Sequence, residues 1–281
     1  MAMSDRDCRV LQALADARQQ HGELAALLDF YHDLYQVQFE AKASLPEPEV
    51  PDGPAMRRRL AESVPQLTFD QLGVEPGSFA RLVAHIGAVL LRHNPAWPAD
   101  RHEQPAPSEE LLALARELFE TWDTLTAPKL DAEGQPGVQP GPGGLPMLAV
   151  GFALAPYLQR AAEAILPRLD LSLWTKGYCP ICGGRPNLAL FEQSRGGRQL
   201  ICSRCDGSWD YQRVGCPFCG SDKKQTYYRS QDGAHRLYLC PDCHHYLKTV
   251  DLRELQRPVY PLVERLVLVG MDLAAQQMSH T

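Results

Sequence analysis

Eight of the nine cysteines form four C-x2-C pairs, and these pairs constrain the fold more than any other feature of the chain. The third pair follows the first by 37 residues and the fourth follows the second by 38, so the segment is an internal repeat. A C-x2-C pair places two sulfurs on one tight turn, and two such turns supply the four thiolates of a tetrahedral metal site. The sequence therefore predicts two small metal modules in tandem. The pairs are Cys179/Cys182, Cys202/Cys205, Cys216/Cys219 and Cys240/Cys243.

Within each copy of the repeat, the loop between the two pairs has the length typical of a metal module. It holds 19 residues in the first copy and 20 in the second, close to the spacing of about 15 to 20 residues in such modules. A loop within one copy costs less closure entropy than a loop that joins the copies. We therefore expect the first pair to join the second and the third to join the fourth, with an interleaved arrangement as the alternative.

Each of these loops also has the pattern of a β-hairpin. The turn sequences Gly196-Gly197 and Asp232-Gly233 lie between runs rich in aliphatic and aromatic residues, which is typical of strands joined by a tight turn. A third short strand follows the second pair of each copy. The predicted strands cover residues 187–193, 198–201 and 208–213 in the first copy and 225–230, 235–239 and 245–250 in the second.

The chain before the cysteines has apolar residues at helical spacing, as at Leu24, Leu27, Leu28 and Tyr31. Proline-rich breaks at 46–54, 95–107 and 128–146 separate these helices, and a last apolar helix is predicted at 262–273. The predicted fold class is α+β: a helical N-terminal domain followed by two tandem rubredoxin-like or zinc-ribbon β modules and a C-terminal helix. The predicted limits are 1–175 for the helical domain, 176–212 and 213–251 for the two modules, and 252–281 for the C-terminal helix.

The four-cysteine pattern favours metal binding over the other uses of paired cysteines. A thioredoxin-like dithiol uses one C-x2-C at the start of a helix after a strand, and a ferredoxin-type cluster uses a compact run of closely spaced cysteines. The sequence has neither pattern, so we expect two metal ions, one per four-cysteine site, and zinc and iron fit four thiolates equally well. Since protein sulfur fills all four positions, neither metal has an open position for hydrolysis. We therefore expect no hydrolytic chemistry at either metal.

Three other residues of metal-binding type lie outside this pattern. His244 and His245 follow the fourth pair and are possible substitutes for a cysteine ligand, but the four cysteines already complete the coordination shell. We expect both to be ordinary surface or hairpin histidines. Cys8 has no partner in the sequence and is expected to be a plain helix cysteine.

Composition and charge favour a soluble cytoplasmic protein with a protein partner. No apolar run approaches the roughly 20 residues of a membrane span, and no signal peptide is visible. From Lys176 to Val250 there are 11 Lys and Arg against 6 Asp and Glu, and two divalent ions on eight thiolates reduce this excess to about +1. Residues 1–175 carry 14 basic and 24 acidic groups. This balance disfavours nucleic acid as a partner.

The second copy carries a motif that points to one family. Trp209 and Arg213 form a W-x3-R lead into the third pair, and Tyr246, Leu247 and Lys248 follow the fourth pair as Y-L-K. Together with the helical N-terminal region, the two C-x2-C modules and the C-terminal helix, this pattern resembles the formate dehydrogenase accessory protein family, FdhE. The resemblance covers most of the chain, although the segment at 128–146 carries no motif that we can assign.

The resemblance implies a cytoplasmic maturation factor and not an enzyme. Such a factor acts on the immature catalytic subunit of a molybdenum- or tungsten-dependent formate dehydrogenase before its export by the twin-arginine route, and the family binds metal, with iron favoured, through these cysteines. We expect Trp209, Arg213, Tyr246 and Lys248 to contact the partner, with packing over the ribbon as the alternative role of Trp209 and Tyr246. Two other functions stay open: a rubredoxin-like electron-transfer protein and a zinc-ribbon nucleic-acid-binding protein.

Overall fold

The computed structural model describes residues 2–94, 107–121, 129–130, 136–137, 144–193 and 196–279. These residues divide into two compact units. The first lies within Met1–Glu49, Phe69–Leu125 and Lys129–Ala161, and the second lies within Val50–Thr68, Thr126–Pro128 and Ala162–Thr281. The proline-rich breaks predicted at 95–107 and 128–146 fall largely outside the described residues. The predicted limits of the domains stay a prediction.

The first unit is helical, as the apolar spacing predicts. The longest helix among the described residues, Gly144–Ile165, is buried on several sides, with Val150, Ala153 and Leu154 inaccessible to solvent. Among the described residues, no helix has the length and apolarity that a membrane span requires. The helices of this unit are α1 (Asp5–Gln20), α2 (Ala25–Ser44), α4 (Pro76–His93), α5 (Ser108–Thr121) and most of α6 (Gly144–Ile165), and two short strands, β1 (Lys129–Leu130) and β2 (Pro136–Gly137), pair antiparallel.

The proline-rich break predicted at 46–54 separates α2 from α3 (Gly53–Ala61). Asp52 accepts a hydrogen bond from the backbone N–H of Ala55, and Pro54 lies in the first turn. An aspartate cap and an early proline are both favoured at the start of a helix because the first N–H groups have no helical partner. Residues 50–68, which include α3, pack with the second unit.

The six strands predicted around the cysteines all form, and they build one six-stranded sheet. The first copy of the repeat contributes three antiparallel strands and so does the second. The two halves join where β3 and β8 pair in parallel, with Leu188 opposite Lys248 and Phe191 opposite Asp251. In sheet order the strands are β5 (Ser208–Tyr211), β4 (Arg198–Cys202), β3 (Pro186–Phe191), β8 (Tyr246–Asp251), β7 (His235–Leu239) and β6 (Thr226–Arg229).

Two C-terminal helices cover one face of this sheet. Leu188 and Val250 pack against Leu268 and Met271 in a common apolar cluster. The sequence predicts one helix at 262–273, whereas the structure has α7 (Pro261–Val267) and α8 (Val269–Ser279). The chain leaves helical geometry at Leu268, whose side chain is buried in the cluster. The break between α7 and α8 therefore lies at a residue that packs into the apolar cluster.

A buried ion pair ties the sheet to α8. Lys248 on β8 donates to a carboxylate oxygen of Asp272 at 2.6 Å and to the backbone oxygen of Arg265 at 3.0 Å. Both side chains are about 5% exposed, and burial lowers the pKa of Lys248 and raises that of Asp272. The pair therefore fixes the position of α8 on the sheet, although removing both charges from water costs free energy.

We expect Asp272→Ala to lower the free energy of unfolding by about 3 kcal/mol, because it leaves the Lys248 ammonium buried without its counter-charge. Urea unfolding followed by circular dichroism measures the change. The double variant Lys248→Met/Asp272→Leu should recover most of the loss, since it removes both buried charges. Asp70→Ala removes an exposed ion pair with Arg116 and should leave the transition almost unchanged. An Asp272→Ala protein as stable as the wild type would show that the pair does not hold α8.

Candidate metal centres

The first two cysteine pairs meet at one point beside the first half of the sheet; we call this group site 1. Cys179 and Cys182 lie in the loop before β3, Cys202 is the last residue of β4, and Cys205 lies in the turn that follows. The Sγ atoms of Cys179 and Cys205 are 3.6 Å apart, and those of Cys182 and Cys202 are 3.5 Å apart. All four sulfurs lie within 4.8 Å of one another.

The third and fourth pairs meet in the same way beside the second half of the sheet and form site 2. The Sγ atoms of Cys216 and Cys243 are 3.6 Å apart, and those of Cys219 and Cys240 are 3.7 Å apart. These four sulfurs also lie within 4.8 Å of one another. The structure thus brings together pairs one and two, and pairs three and four, rather than interleaving them.

The spacing of the sulfurs fits a tetrahedral metal ion. A metal with four sulfurs at about 2.3 Å requires sulfur-to-sulfur distances of about 3.8 Å, whereas a disulfide requires about 2.05 Å. The shortest contacts in both groups, between 3.5 and 3.7 Å, match the first value, and all eight cysteines are free. Each group can therefore hold one metal ion, and this geometry suits zinc and iron alike.

The same backbone turn presents all four pairs. The N–H of the first cysteine in each pair donates to the carbonyl five residues later, as from Cys179 to Gly184 at 2.8 Å and from Cys240 to His245 at 3.0 Å. The residue after the second cysteine has a positive φ in every pair. Glycine adopts this left-handed geometry most easily, and aspartate and other residues do so at a cost. These residues are Gly183 (75°), Asp206 (56°), Gly220 (76°) and His244 (57°).

Backbone donors and burial set the electrostatics of site 1. The N–H groups of Ile181 and Arg204 each lie 3.4 Å from a sulfur, that of Cys179 and that of Cys202 respectively. Such donors stabilise thiolate charge. Burial raises the pKa of the Cys179 thiol, so a metal ion must displace protons when it binds.

The two sites differ in burial, although their sequences are similar. No cysteine of site 1 is more than 5% exposed. In site 2, Cys216 and Cys240 are buried, Cys243 is half-buried and Cys219 is exposed. Site 2 is therefore open to solvent on one side.

A distant segment of the chain explains the burial of site 1. The backbone N–H groups of Gln66 and Leu67 donate to the carbonyls of Pro180 and Ile181, at 2.9 and 2.8 Å, and so cover the first turn. Arg265 of α7 donates to the carbonyl of Cys202 at 2.6 Å and pairs with Asp206. These residues were missed from the sequence because they lie far from the cysteines along the chain and belong to no motif.

The histidines and the ninth cysteine stand outside both four-sulfur groups. His244 supplies the left-handed position of the fourth turn. The ring of His245 stacks on Phe218 with centroids 4.9 Å apart, and its Nδ1 lies 3.1 Å from the carbonyl oxygen of Cys243. Cys8 is an exposed residue of α1. All three thus occupy the ordinary structural positions that the sequence predicts.

The four predicted partner contacts differ in accessibility. Trp209 is 1% exposed and donates from its indole to the carbonyl of Lys176 at 3.1 Å, which is the packing role. Lys248 is buried in the pair with Asp272, and half-buried Tyr246 interacts with the same carboxylate. Arg213 is exposed, with its guanidinium 5.8 Å from the centre of the Phe191 ring. Their part in partner binding stays a prediction.

The sequence of this chain is similar to those of known proteins along most of its length. No protein-family model matches the chain. The FdhE homologue of Aquifex aeolicus (strain VF5) is 25% identical over 264 residues, which cover 90% of this chain and 82% of that protein. The chain is a relative of the FdhE proteins. The resemblance that the W-x3-R and Y-L-K motifs indicate is thereby confirmed.

Two further FdhE proteins support the relationship. The FdhE homologue of Shewanella baltica (strain OS185) is 33% identical over 106 residues, which cover 36% of this chain and 35% of that protein. The crystal structure of the FdhE protein from Pseudomonas aeruginosa matches with a TM-score of 0.66 at 21% identity, covering 99% of this chain and 93% of that chain. The helices before and after the cysteine-rich sheet of this chain, together with this structural match, confirm the predicted fold class.

We expect Cys216→Ser to remove one of the two metal equivalents from this FdhE relative and to unfold the second module, because three thiolates no longer complete the shell. Elemental analysis of protein purified without oxygen measures the metal content. Cys8→Ser is the matched control, since Cys8 lies outside both groups, and it should retain both equivalents. Two equivalents in the Cys216→Ser protein would contradict the ligand set.

We also expect the two sites to release metal at different rates. In zinc-loaded protein, a chromogenic chelator should withdraw one equivalent from exposed site 2 at least about tenfold faster than the other, because release needs access to the metal–sulfur bonds and local opening of a buried site is slow. Absorbance of the chelator complex follows the release. The single equivalent of the Cys216→Ser protein should leave only in the slow phase. Release of both equivalents in one phase would contradict the difference.

Proposed function

We propose that this chain is an accessory factor that binds the immature catalytic subunit of formate dehydrogenase and is needed to activate it before export. The observation that carries the proposal is the similarity to FdhE proteins along nearly the whole chain. It is supported by the two four-cysteine groups, each of which could hold a metal ion, as the family resemblance implies. The immature subunit is accordingly the proposed partner, and the reducing cytoplasm, where eight thiols persist unpaired, is the proposed location.

The chemistry of the two sites supports a binding role for the protein. A tetrahedral centre whose four positions are all thiolates leaves no place for a substrate or an activated water. The proposal therefore assigns the protein no reaction of its own. The ligands that would hold the metals are Cys179, Cys182, Cys202 and Cys205 in site 1 and Cys216, Cys219, Cys240 and Cys243 in site 2.

Electron transfer is the second candidate function, and one observation favours it. Cys219 of site 2 is exposed, and a rubredoxin-type iron held there would exchange one electron with a partner at close range. An electron carrier would contain iron, show a reversible one-electron wave and be reduced by a donor protein. An accessory factor would co-purify with the immature dehydrogenase subunit and show neither the wave nor the reduction.

Deletion of the gene tests the proposal. We expect the dehydrogenase polypeptide to be present at its normal level, as judged by immunoblot, while formate oxidation in cell extract falls to background. A maturation factor leaves synthesis of its target intact and blocks its activation, which is why protein level and activity should separate. Full dehydrogenase activity in the deletion strain would refute the proposed function.

Complementation supplies the controls for this experiment. The wild-type gene should restore activity, and so should Cys8→Ser, which leaves both four-cysteine groups intact. Cys216→Ser should fail to restore it if the second module takes part in maturation. Failure of the wild-type gene would show that the loss came from an effect on neighbouring genes.

A further inference from the structure

The sheet face opposite α7 and α8 is rich in arginine and aromatic residues. Successive side chains of a strand point to opposite faces, so Leu190 faces the helices while Phe191 faces away from them. Phe191 pairs with Arg198 across the strands, and Arg198 pairs with Tyr211. We call this surface the arginine face. It consists of Arg198, Arg213, Arg236 and Arg253 with Phe191, Tyr211, Tyr227 and Tyr238.

Three of these guanidiniums gather over one ring. The centres of the Arg213, Arg236 and Arg253 guanidiniums lie between 5.5 and 5.9 Å from the centre of the Phe191 ring. Cation–π attraction favours each of these positions. The three guanidinium groups also repel one another, because they carry like charges around the same ring.

The buried carboxylate of Asp251 accepts hydrogen bonds from two of these guanidinium groups. Arg253 reaches both of its oxygens from Nε and Nη2, at 2.7 and 2.6 Å, and Arg236 reaches one of them at 2.7 Å. Among the described residues, Arg213 has neither a hydrogen bond nor an ion pair. The backbone N–H of Arg253 also donates to this carboxylate at 3.2 Å, so its four acceptor positions are filled and none is left for Arg213. Glu254, which pairs with Arg229, is a second carboxylate close enough to act on the charge of Arg253.

Two guanidinium nitrogens of this cluster that have no partner among the described residues, Nη1 of Arg213 and Nη1 of Arg253, lie close to Gly196. A Cβ placed on Gly196 would lie 3.3 Å from Nη1 of Arg213 and 3.4 Å from Nη1 of Arg253. Gly196 has a φ of 59° and is buried, so the turn brings its backbone close to two guanidinium groups. The two donors are therefore neighbours, and an anionic group beside the turn would relieve their repulsion.

Arg198 and Arg229 each have a partner of their own, although the Nε and Nη2 atoms of Arg198 have no hydrogen-bond partner among the described residues. Arg198 is 4% exposed and donates to the carbonyl of Gly215 at 3.0 Å, directly before Cys216 of site 2. Its charge lies beside the thiolates of that site. Arg229 on β6 pairs with Glu254 at 3.3 Å. Among the described residues, Arg213 is therefore the arginine of this face that has neither a hydrogen bond nor an ion pair.

We propose that the arginine face binds an acidic segment of a protein partner. Carboxylates fit the planar fork of guanidinium groups, and arginine and tyrosine are the residues that dominate protein interfaces. Tyr227 is 51% exposed at one side of the face, and Val214, next to Arg213, is 67% exposed. Exposed apolar surface beside the charge fits a peptide better than a compact phosphate. That the partner is the dehydrogenase subunit rests on the proposed function.

Titration with a labelled acidic peptide tests the face directly. Fluorescein-labelled hexaglutamate is added to the metal-loaded full-length protein at low salt, and binding is followed by fluorescence anisotropy. Arg213→Glu should weaken binding by about 10- to 100-fold, the usual effect of losing a charged hydrogen bond. The matched control is Arg168→Glu, which changes an exposed arginine of the same unit that is not one of the residues of the face. It should change the affinity by less than about twofold.

Two results would overturn the proposal. Equal weakening by Arg213→Glu and Arg168→Glu, or absence of binding by the wild type, would show that the face is not a specific anion site. A labelled hexauridylate of matched charge that binds more tightly than the peptide, and is released by Arg213→Glu, would assign the face to nucleic acid instead. Circular dichroism and metal content of each variant verify that it is folded.

Capture of the dehydrogenase subunit separates this proposal from the proposed function. Wild-type protein should capture the immature subunit from cell extract and Arg213→Glu should capture less of it. Equal capture by both would remove the arginine face from the interface and leave the accessory function standing. No capture by the wild type would refute the accessory function, while the peptide titration would still decide whether the face takes acidic protein segments.

Discussion

Everything in the cysteine-rich sheet depends on four sulfurs meeting at one point in each half. The strands hold only four to six residues, and every residue of the edge strand β6 is exposed. A hairpin of this size buries too little apolar surface to be stable alone. A metal held by two turns closes the hairpin at its open end, and the free energy of metal binding then becomes free energy of folding. The second half, whose site is the more exposed, depends most on this closure.

The cysteine spacing and the hairpin pattern predict where the strands and the two four-cysteine groups lie. Spacings of 37 and 38 residues placed equivalent turns in register, and the turn residues Gly196 and Asp232 marked the hairpins. Each of these signals is local, since it depends on residues within one copy. The sequence does not predict the interactions between distant parts of the chain. Parallel pairing of β3 with β8, which merges the halves into one sheet, has no marker in either strand.

The difference between the two sites shows the same limit. Site 1 is buried because Gln66 and Leu67 cover its first turn and Arg265 binds beside its second. These residues precede the cysteines by more than a hundred positions or follow them by about sixty, and nothing in their local sequence relates them to a metal site. Lys248 is a similar case. It was recognised from the Y-L-K motif as a possible partner contact, whereas its burial depends on Asp272 in a helix that the repeat does not contain.

The order of the strands explains how a repeat produces an uneven charge. From β5 to β6 the strands run third, second, first in one copy and again third, second, first in the other, so the copies are related by translation across the sheet and equivalent residues share a face. The shift of 38 residues makes Arg198 equivalent to Arg236, and Arg213 equivalent to Asp251. In the second copy the aspartate neutralises its arginine. In the first copy Arg213 occupies the equivalent position, and Arg198 donates instead to the backbone carbonyl of Gly215 beside site 2. One charge-reversed position in a duplicated module therefore creates the excess of positive charge on this face, without any change in the strands or in the metal turns.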